Sequence, residues 1–233
     1  MNADISLPLK SGGRLAIVDR DATIISSRQI AYACYRQAYN QVIAADEARS
    51  EPLNEEEYTR QYHPFDKNLV YKKYYPHLTD EQIAGIGEAS WHYYLDHFED
   101  ARFNILIPGM DDFMRELKEA GNTVVILTSS HIDGKWLRRY RIPVDDFFSM
   151  QELKKDPGIE SKDRAIDYIL KTYGKDYSEG VTIGDNPKDH VDSVLSIGTG
   201  FGLGHPAARK LLRDSVDLYA ETVEDLYRFF GLD

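Results

Sequence analysis

The chain has 233 residues, of which 42% are hydrophobic, and a formal net charge of -11. This length allows one large or two small domains with a sizeable core, whereas the acidic balance disfavours a nucleic-acid-binding surface, which needs clustered lysine and arginine. No apolar run is long enough to span a bilayer, the first 13 residues lack the apolar centre of a signal peptide, and the single cysteine, Cys34, cannot form an internal disulfide. We therefore expect a cytoplasmic protein without a membrane partner.

The first predicted element is a buried strand, Leu15–Val18, with two aspartates directly after it. Asp19 and Asp21 stand two residues apart where the strand ends, and in an open α/β sheet this is the edge that borders the ligand crevice. A buried aspartate there needs a metal or a cationic partner. The pair indicates a site for a hard cation, although an isolated pair of this kind is more often a polar turn.

A long helical segment follows the aspartates. Apolar residues recur at helical spacing from Gln29 to Ala45, and Thr79 with Gln82 matches a capping box before a further helix. Pro108 and Gly109 then break the pattern. We predict a helical insertion within an α/β core, divided as follows: core residues 1–27, helical cap 28–104, and core residues 105–233.

The second half of the chain alternates between strands and helices, which predicts a parallel sheet with helices on both faces. A β-branched strand ends at Thr128 and Ser129, and Lys162 begins an amphipathic helical pattern. A third strand leads into Gly184-Asp185 and, four residues later, Asp189. If these strands are neighbours, their polar ends converge at one edge of the sheet.

A further strand is predicted over Ile197 to Leu203, and a last helix through Val223 and Phe230. Glycines alternate with other residues from Gly198 to Gly204, but they do not form a dinucleotide-binding fingerprint, because they do not open a βαβ unit in the required order.

Over nearly its whole length the chain resembles the haloacid dehalogenase superfamily of phosphohydrolases. Asp19-x-Asp21-x-Thr23 is similar to the first motif of that family, Thr128 to the second, Lys162 to the third and Gly184-Asp185-x-x-x-Asp189 to the fourth. One departure is Ala22, which stands where the family usually has glycine in a tight turn.

The resemblance implies a Rossmann-like parallel sheet core with an inserted α-helical cap. It also implies a magnesium-dependent phosphatase that hydrolyses a small phosphorylated metabolite through an aspartyl-phosphate intermediate. By resemblance, Asp19 is the nucleophile, Asp21 is the general acid and base, and Lys162 pairs with Asp19 and the phosphoryl oxygens. Thr128 and Ser129 would bind the phosphate. The implied metal site consists of Asp19, Asp21 (through its carbonyl), Asp185 and Asp189.

Several alternatives stay open. A phosphomutase uses the same residues, whereas a 2-haloacid dehalogenase lacks an acid at the position of Asp21. A phospho-accepting receiver has no helical insertion, and a non-catalytic binding protein has no need of these side chains. Lys154 and Lys155 are less suitable candidates than Lys162 for the lysine of the active site. The sequence predicts a monomer or small homo-oligomer and does not identify the substrate. Cationic candidates for substrate contact in the helical segment are Arg60, Lys67, Lys72 and Lys73.

Overall fold

The computed structural model describes residue 9 and residues 12–43, 51–61, 68–98, 100, 102–129 and 135–232. The strands in these ranges are β1 (Leu15–Val18), β2 (Ile25–Ser26), β3 (Ile105–Leu106), β4 (Thr123–Thr128), β5 (Asp146–Ser149), β6 (Gly180–Gly184), β7 (Leu195–Thr199) and β8 (Leu218–Ala220). The α-helices are α1 (Arg28–Ala38), α2 (Glu55–Gln61), α3 (Asn68–Tyr74), α4 (Asp80–His97), α5 (Met110–Glu119), α6 (Lys135–Tyr140), α7 (Met150–Leu153), α8 (Lys162–Thr172), α9 (Pro206–Ser215) and α10 (Val223–Phe230).

Six strands form one parallel sheet in the order β5-β4-β1-β6-β7-β8. The strand β1 lies inside the sheet, and its first residue, Leu15, pairs with Thr123 of β4 on one side and with Gly180 of β6 on the other. The predicted α/β fold with a parallel sheet is confirmed. The strands β2 and β3 form a separate two-stranded sheet.

The sheet is covered by helices on both faces because its central strands carry apolar residues on both sides. One face of β1, bearing Ala16 and Val18, packs with buried residues of α5 and α10. The opposite face, bearing Leu15 and Ile17, packs with buried residues of α7 and α8. Because these strands are buried on both faces, they appear in the sequence as continuous apolar runs.

Two details of the strand prediction are wrong or incomplete. The strand expected over Ile197 to Leu203 begins at Leu195 and ends at Thr199, and a 3-10 turn, Gly200–Gly202, follows it. At Gly200 a side chain would overlap the ring and hydroxyl of Tyr219, so glycine is needed where the chain leaves the sheet. The strand β5 was not predicted, because Asp146–Ser149 is a short edge strand without a β-branched run.

The chain divides into two compact units: Met1–Ile25 with Leu106–Gly202 and Lys210–Asp233, and Ser26–Ile105 with Leu203–Arg209. The second unit is helical, and tyrosines form much of its core. The hydroxyl groups of Tyr35 and Tyr75 lie 2.7 Å apart, and Tyr35 also accepts a hydrogen bond from the Leu53 amide at 2.6 Å. The predicted capping box of Thr79 and Gln82 is present at the start of α4.

The helical pattern from Gln29 to Ala45 is realised as α1 followed by a π-helix, Tyr39–Ile43, and its last residues lie outside the described ranges. None of the helices within the described ranges has the length and apolar character needed to cross a membrane.

Candidate active site

Asp19, Thr128 and Asp185 lie at the carboxyl ends of the three adjacent strands β1, β4 and β6. Val18, the last residue of β1, pairs with Ile126 of β4 and with Ile183 of β6. Asp19 continues this register, and its amide donates a 2.8 Å hydrogen bond to the Ile183 carbonyl. Because the three strands are parallel and neighbouring, the residues that leave them meet at the same edge of the sheet.

Lys162 is the cation of this site. Its ammonium group donates to Asp19 Oδ1 at 2.7 Å and also to Asp189 Oδ1. All three side chains are nearly buried, with exposed fractions of 13% for Lys162, 9% for Asp19 and 7% for Asp189. Lys162 reaches this position as the first residue of α8, whose N-cap is the Ser161 hydroxyl. The structure therefore brings together residues from three separate motifs.

Asp189 is held by the local fold of the loop after β6. In the 3-10 turn Pro187–Asp189, the Asp189 Oδ2 atom accepts the Asn186 amide at 3.0 Å, and the Asn186 side chain accepts the Lys188 amide at 3.0 Å. A side chain at Gly184 would overlap the Asp189 carboxyl group. The glycine before Asp185 thus leaves room for Asp189 to fold back toward the strand.

Three buried carboxyl groups form a site that suits a hard cation. Asp19, Asp185 and Asp189 each offer an oxygen, and these oxygens lie within 4.8 Å of one another. Lys162 is the one ammonium group bonded to this set among the described residues, so fully ionised carboxylates would exceed the positive charge. Carboxylate oxygens are ligands for magnesium and similar ions, and the donor set therefore fits a divalent metal.

The charge imbalance also appears in the pKa values. Burial raises the pKa of Asp19 from 3.8 to about 7, against the lowering effect of Lys162 and with a further rise from Asp189. Burial likewise raises the pKa of Asp185 well above its ordinary value, and Asp189 and Asp19 add to the effect. For Lys162, burial alone lowers the pKa, but Asp19 and Asp189 outweigh it and raise the pKa, so the lysine stays charged.

Residues 19–25, which we call the first-motif turn, are tightly hydrogen-bonded. The Arg20 carbonyl accepts the amides of Ile24 at 2.9 Å and Ile25 at 3.0 Å. Ala22 has φ of 56°, a left-handed conformation that glycine adopts more easily. The Thr23 hydroxyl lies 3.1 Å from that of Thr199 at the end of β7.

Gly202 packs against this turn. A Cβ atom at Gly202 would overlap the carbonyl group of Ala22 and crowd its side chain. The glycine-rich run after β7, which has no dinucleotide-binding order, thus has a structural use: its backbone fits closely against the first-motif turn.

Asp21 does not join the three-carboxylate cluster through its side chain. Its carboxyl group faces Arg20, whose Nη1 donates to Asp21 Oδ1 at 2.6 Å. The sequence alone assigns no role to Arg20. Thr128 is fully buried at the end of β4, and Ser129 after it is exposed.

The remaining candidates are exposed or lie outside the described ranges. Lys154 and Lys155 are exposed after α7, and Lys155 pairs with Glu152. Lys72 and Lys73 are exposed on α3, and Lys67 lies outside the described residues. His190, which the sequence did not mark as a candidate, follows Asp189 and forms a hydrogen bond with the Thr182 hydroxyl at 2.9 Å. Burial lowers the pKa of His190 to about 4, so its ring is neutral.

Comparison with known proteins identifies the family. The family model of haloacid dehalogenase-like hydrolases matches residues 14–191. The chain therefore belongs to the haloacid dehalogenase-like hydrolase family, as the four motifs predicted. A search of curated proteins gives no significant match.

Solved structures share this fold at low sequence identity. A haloacid dehalogenase-like hydrolase from Streptococcus pneumoniae is 16% identical with a TM-score of 0.65, covering 93% of this chain and 98% of its own. A Clostridium difficile protein provisionally assigned as a phosphatase is 17% identical with a TM-score of 0.67, covering 95% and 100%. A Bacteroides vulgatus protein provisionally assigned as a beta-phosphoglucomutase is 15% identical with a TM-score of 0.59, covering 95% and 89%.

Proposed function

We propose that this protein is a magnesium-dependent phosphatase that hydrolyses a small phosphorylated metabolite. The observation that carries the proposal is the buried cluster of Asp19, Asp185 and Asp189 after the adjacent strands β1 and β6, with Lys162 from the start of α8 bonded to Asp19 and Asp189. A phosphoryl dianion can be attacked by a carboxylate only where positive charge offsets the repulsion. This site combines a carboxylate, a fixed ammonium group and oxygen ligands for a cation.

Asp19 and Asp185 would be the principal carboxylate ligands of Mg²⁺, together with the Asp21 carbonyl. Asp189 is better suited to orienting the site, because its two oxygens already accept from Lys162 and the Asn186 amide. When bound, the ion would supply positive charge beside the phosphoryl group. It would also favour ionisation of Asp19, whose pKa is otherwise about 7.

In the first step, a carboxylate oxygen of Asp19 forms a bond to phosphorus while the bond to the leaving oxygen breaks. Asp21 gives its proton to that oxygen, and the product alcohol leaves. Lys162 holds the other Asp19 oxygen and balances charge on the phosphoryl group. Thr128, the last residue of β4, and Ser129 after it would bind phosphoryl oxygens with hydroxyl or amide groups.

In the second step, Asp21 takes a proton from water, and the water oxygen bonds to phosphorus. The bond between phosphorus and Asp19 breaks, which releases inorganic phosphate and restores both aspartates. We further propose that residues 28–104 act as a cap that gives substrate specificity, because the candidate catalytic side chains all lie outside that segment in the sequence.

The test is a screen of phosphorylated metabolites with chelated enzyme, before and after addition of Mg²⁺. Activity should require the metal, and Asp19→Asn should abolish both turnover and an acid-stable, base-labile phosphoenzyme. Asp214→Asn is the matched control, since Asp214 is an exposed carboxylate on α9 that pairs with Lys210. Full activity in metal-free enzyme, or a phosphoenzyme in Asp19→Asn, would contradict the proposal.

A phosphomutase is the second candidate, because the Bacteroides vulgatus neighbour has this fold and the proposed residues would also serve phosphoryl transfer to a sugar. The two reactions differ in what accepts the phosphoryl group from Asp19. Incubating the enzyme with a sugar phosphate separates them: a phosphatase releases inorganic phosphate, whereas a mutase yields an isomeric sugar phosphate.

A further inference from the structure

Arg20 is a buried cation that stands between the two aspartates of the first motif. Its side chain is 3% exposed, whereas that of its partner, Asp21, is 30% exposed. An arginine guanidinium group carries a positive charge in proteins. A buried charge needs a partner of opposite charge, and Nη1 of Arg20 lies 2.6 Å from Asp21 Oδ1.

The ring of Trp136 also contacts the guanidinium group. The Arg20 Cζ atom lies 5.2 Å from the centroid of the Trp136 ring, within the range of a cation–π contact. Trp136 is itself 5% exposed and belongs to the core that covers one face of the sheet. The guanidinium group therefore contacts both a ring of the core and the Asp21 carboxyl group.

The backbone of Arg20 restrains the same turn. Its carbonyl accepts the Ile24 and Ile25 amides, so the residue anchors the turn by its main chain and Asp21 by its side chain. An exposed ion pair gives little positional control, because both side chains are free to move in water. Here the Arg20 side chain is buried and in contact with Trp136, so the orientation of the Asp21 carboxyl group is restricted.

We propose that Arg20 is a positioning residue that holds the Asp21 carboxyl group in the orientation from which it exchanges protons with the leaving oxygen and with water. Trp136 is the support of Arg20 in this arrangement. The inference rests on the acid–base role of Asp21 in the proposed function. It adds an interaction of this chain's own residues, since an arginine between the two aspartates is not needed for the chemistry of either one.

The test compares two phosphate esters in single-turnover phosphorylation of the enzyme. An alkyl phosphate needs a proton on its leaving oxygen, whereas p-nitrophenyl phosphate has a stable leaving anion. Because general acid catalysis contributes about 10² to 10⁴, Arg20→Met should slow phosphorylation by the alkyl ester about a hundredfold. Phosphorylation by the aryl ester needs little acid catalysis and should fall less than about tenfold.

Further variants separate positioning from folding. Arg20→Lys keeps the charge and should recover part of the alkyl ester rate, while Trp136→Leu should show the same preference for the aryl ester with smaller losses. Arg14→Met is the matched control, because Arg14 is partly buried just before β1, at the opposite end of that strand from the site. It should leave the ratio of the two rates unchanged. If Arg20→Met does not fold, Arg20→Lys and Trp136→Leu carry the comparison.

A double-mutant cycle with Asp21→Asn decides whether Arg20 acts through Asp21. In the Asp21→Asn background, Arg20→Met should cost less than about threefold, because interacting residues have non-additive effects. An undiminished loss there, equal losses on both esters, or faster phosphorylation in Arg20→Met would each overturn the inference. If Asp21→Asn itself does not discriminate between the esters, the acid–base role of Asp21 fails instead.

Discussion

Replacing Asp19 with asparagine should make the metal-free protein more stable while it abolishes the reaction. In the folded protein Asp19 has a pKa of about 7, whereas its ordinary value is 3.8. The folded state therefore keeps a proton that the unfolded chain has already lost between these pH values. Stability contributed by this proton is lost as the pH rises from about 4 to 7 and does not fall further above 7.

The size of the effect follows from the two pKa values. A rise from 3.8 to about 7 corresponds to about 4 kcal/mol at pH 8, since one pKa unit is worth about 1.4 kcal/mol. Asparagine has nearly the shape of the carboxyl group and carries no charge to desolvate. Because it loses the charged contact with Lys162 and other groups readjust, we expect a gain of about 2 to 4 kcal/mol at pH 8 and less than about 1 kcal/mol at pH 4.

The assay is urea unfolding followed by circular dichroism in EDTA, from pH 4 to pH 8, for the wild type, Asp19→Asn and the exposed control Asp214→Asn. The control should stay within about 0.5 kcal/mol of the wild type. The difference between Asp19→Asn and the wild type should grow up to pH 7 and then level off. A loss of stability in Asp19→Asn at pH 8, or a difference that does not change with pH, would refute the reasoning.

Three further predictions concern the charge clamp, the metal and the first-motif turn. Lys162→Met should lower kcat by at least about a hundredfold, whereas the exposed Lys155→Met should stay within about twofold; the reverse result would reassign the lysine. Mg²⁺ affinity measured by calorimetry should rise about tenfold from pH 6 to pH 8, because Asp19 must lose its proton; constant affinity would exclude Asp19 as a ligand. Gly202→Ala should lower the free energy of unfolding by about 1–3 kcal/mol through overpacking. The control Gly85→Ala, which has open space around it, should not be destabilising. Equal effects of the two substitutions on the free energy of unfolding would show that the turn accommodates a side chain at residue 202 without cost.

Strand positions could be predicted best from the sequence where the strands are completely buried. The β1 run Leu15–Val18 and the β4 run Thr123–Thr128 are central strands, and their boundaries could be predicted from apolar and β-branched residues. The edge strand β5 could not be predicted in this way, because its pairing with β4 stabilises a segment of weaker pattern. Gly200, directly after β7, packs against Tyr219, and a local sequence pattern does not contain this long-range contact.

The convergence of Asp19 and Asp185 could likewise be predicted, because parallel neighbouring strands end at one edge of a sheet. Lys162 joins them from the start of α8. The environment of Arg20 could not be predicted. An arginine between two aspartates is ordinarily a solvated residue, and its burial here depends on Trp136, which is far away in the chain. The same holds for the tyrosines of the helical unit, whose hydroxyl partners come from different segments.

The position of β1 in the sheet has a consequence for synthesis of the protein. This strand lies inside the sheet, yet both of its partners, β4 and β6, are translated more than one hundred residues later. Until they emerge from the ribosome, the apolar β1 has unpaired edges, which are prone to association with other chains. The long separation of these contacts also favours slow folding. Nascent chains that stop between β4 and β6 should therefore depend on chaperones more than the full-length protein does, since β1 then has only one of its two neighbours.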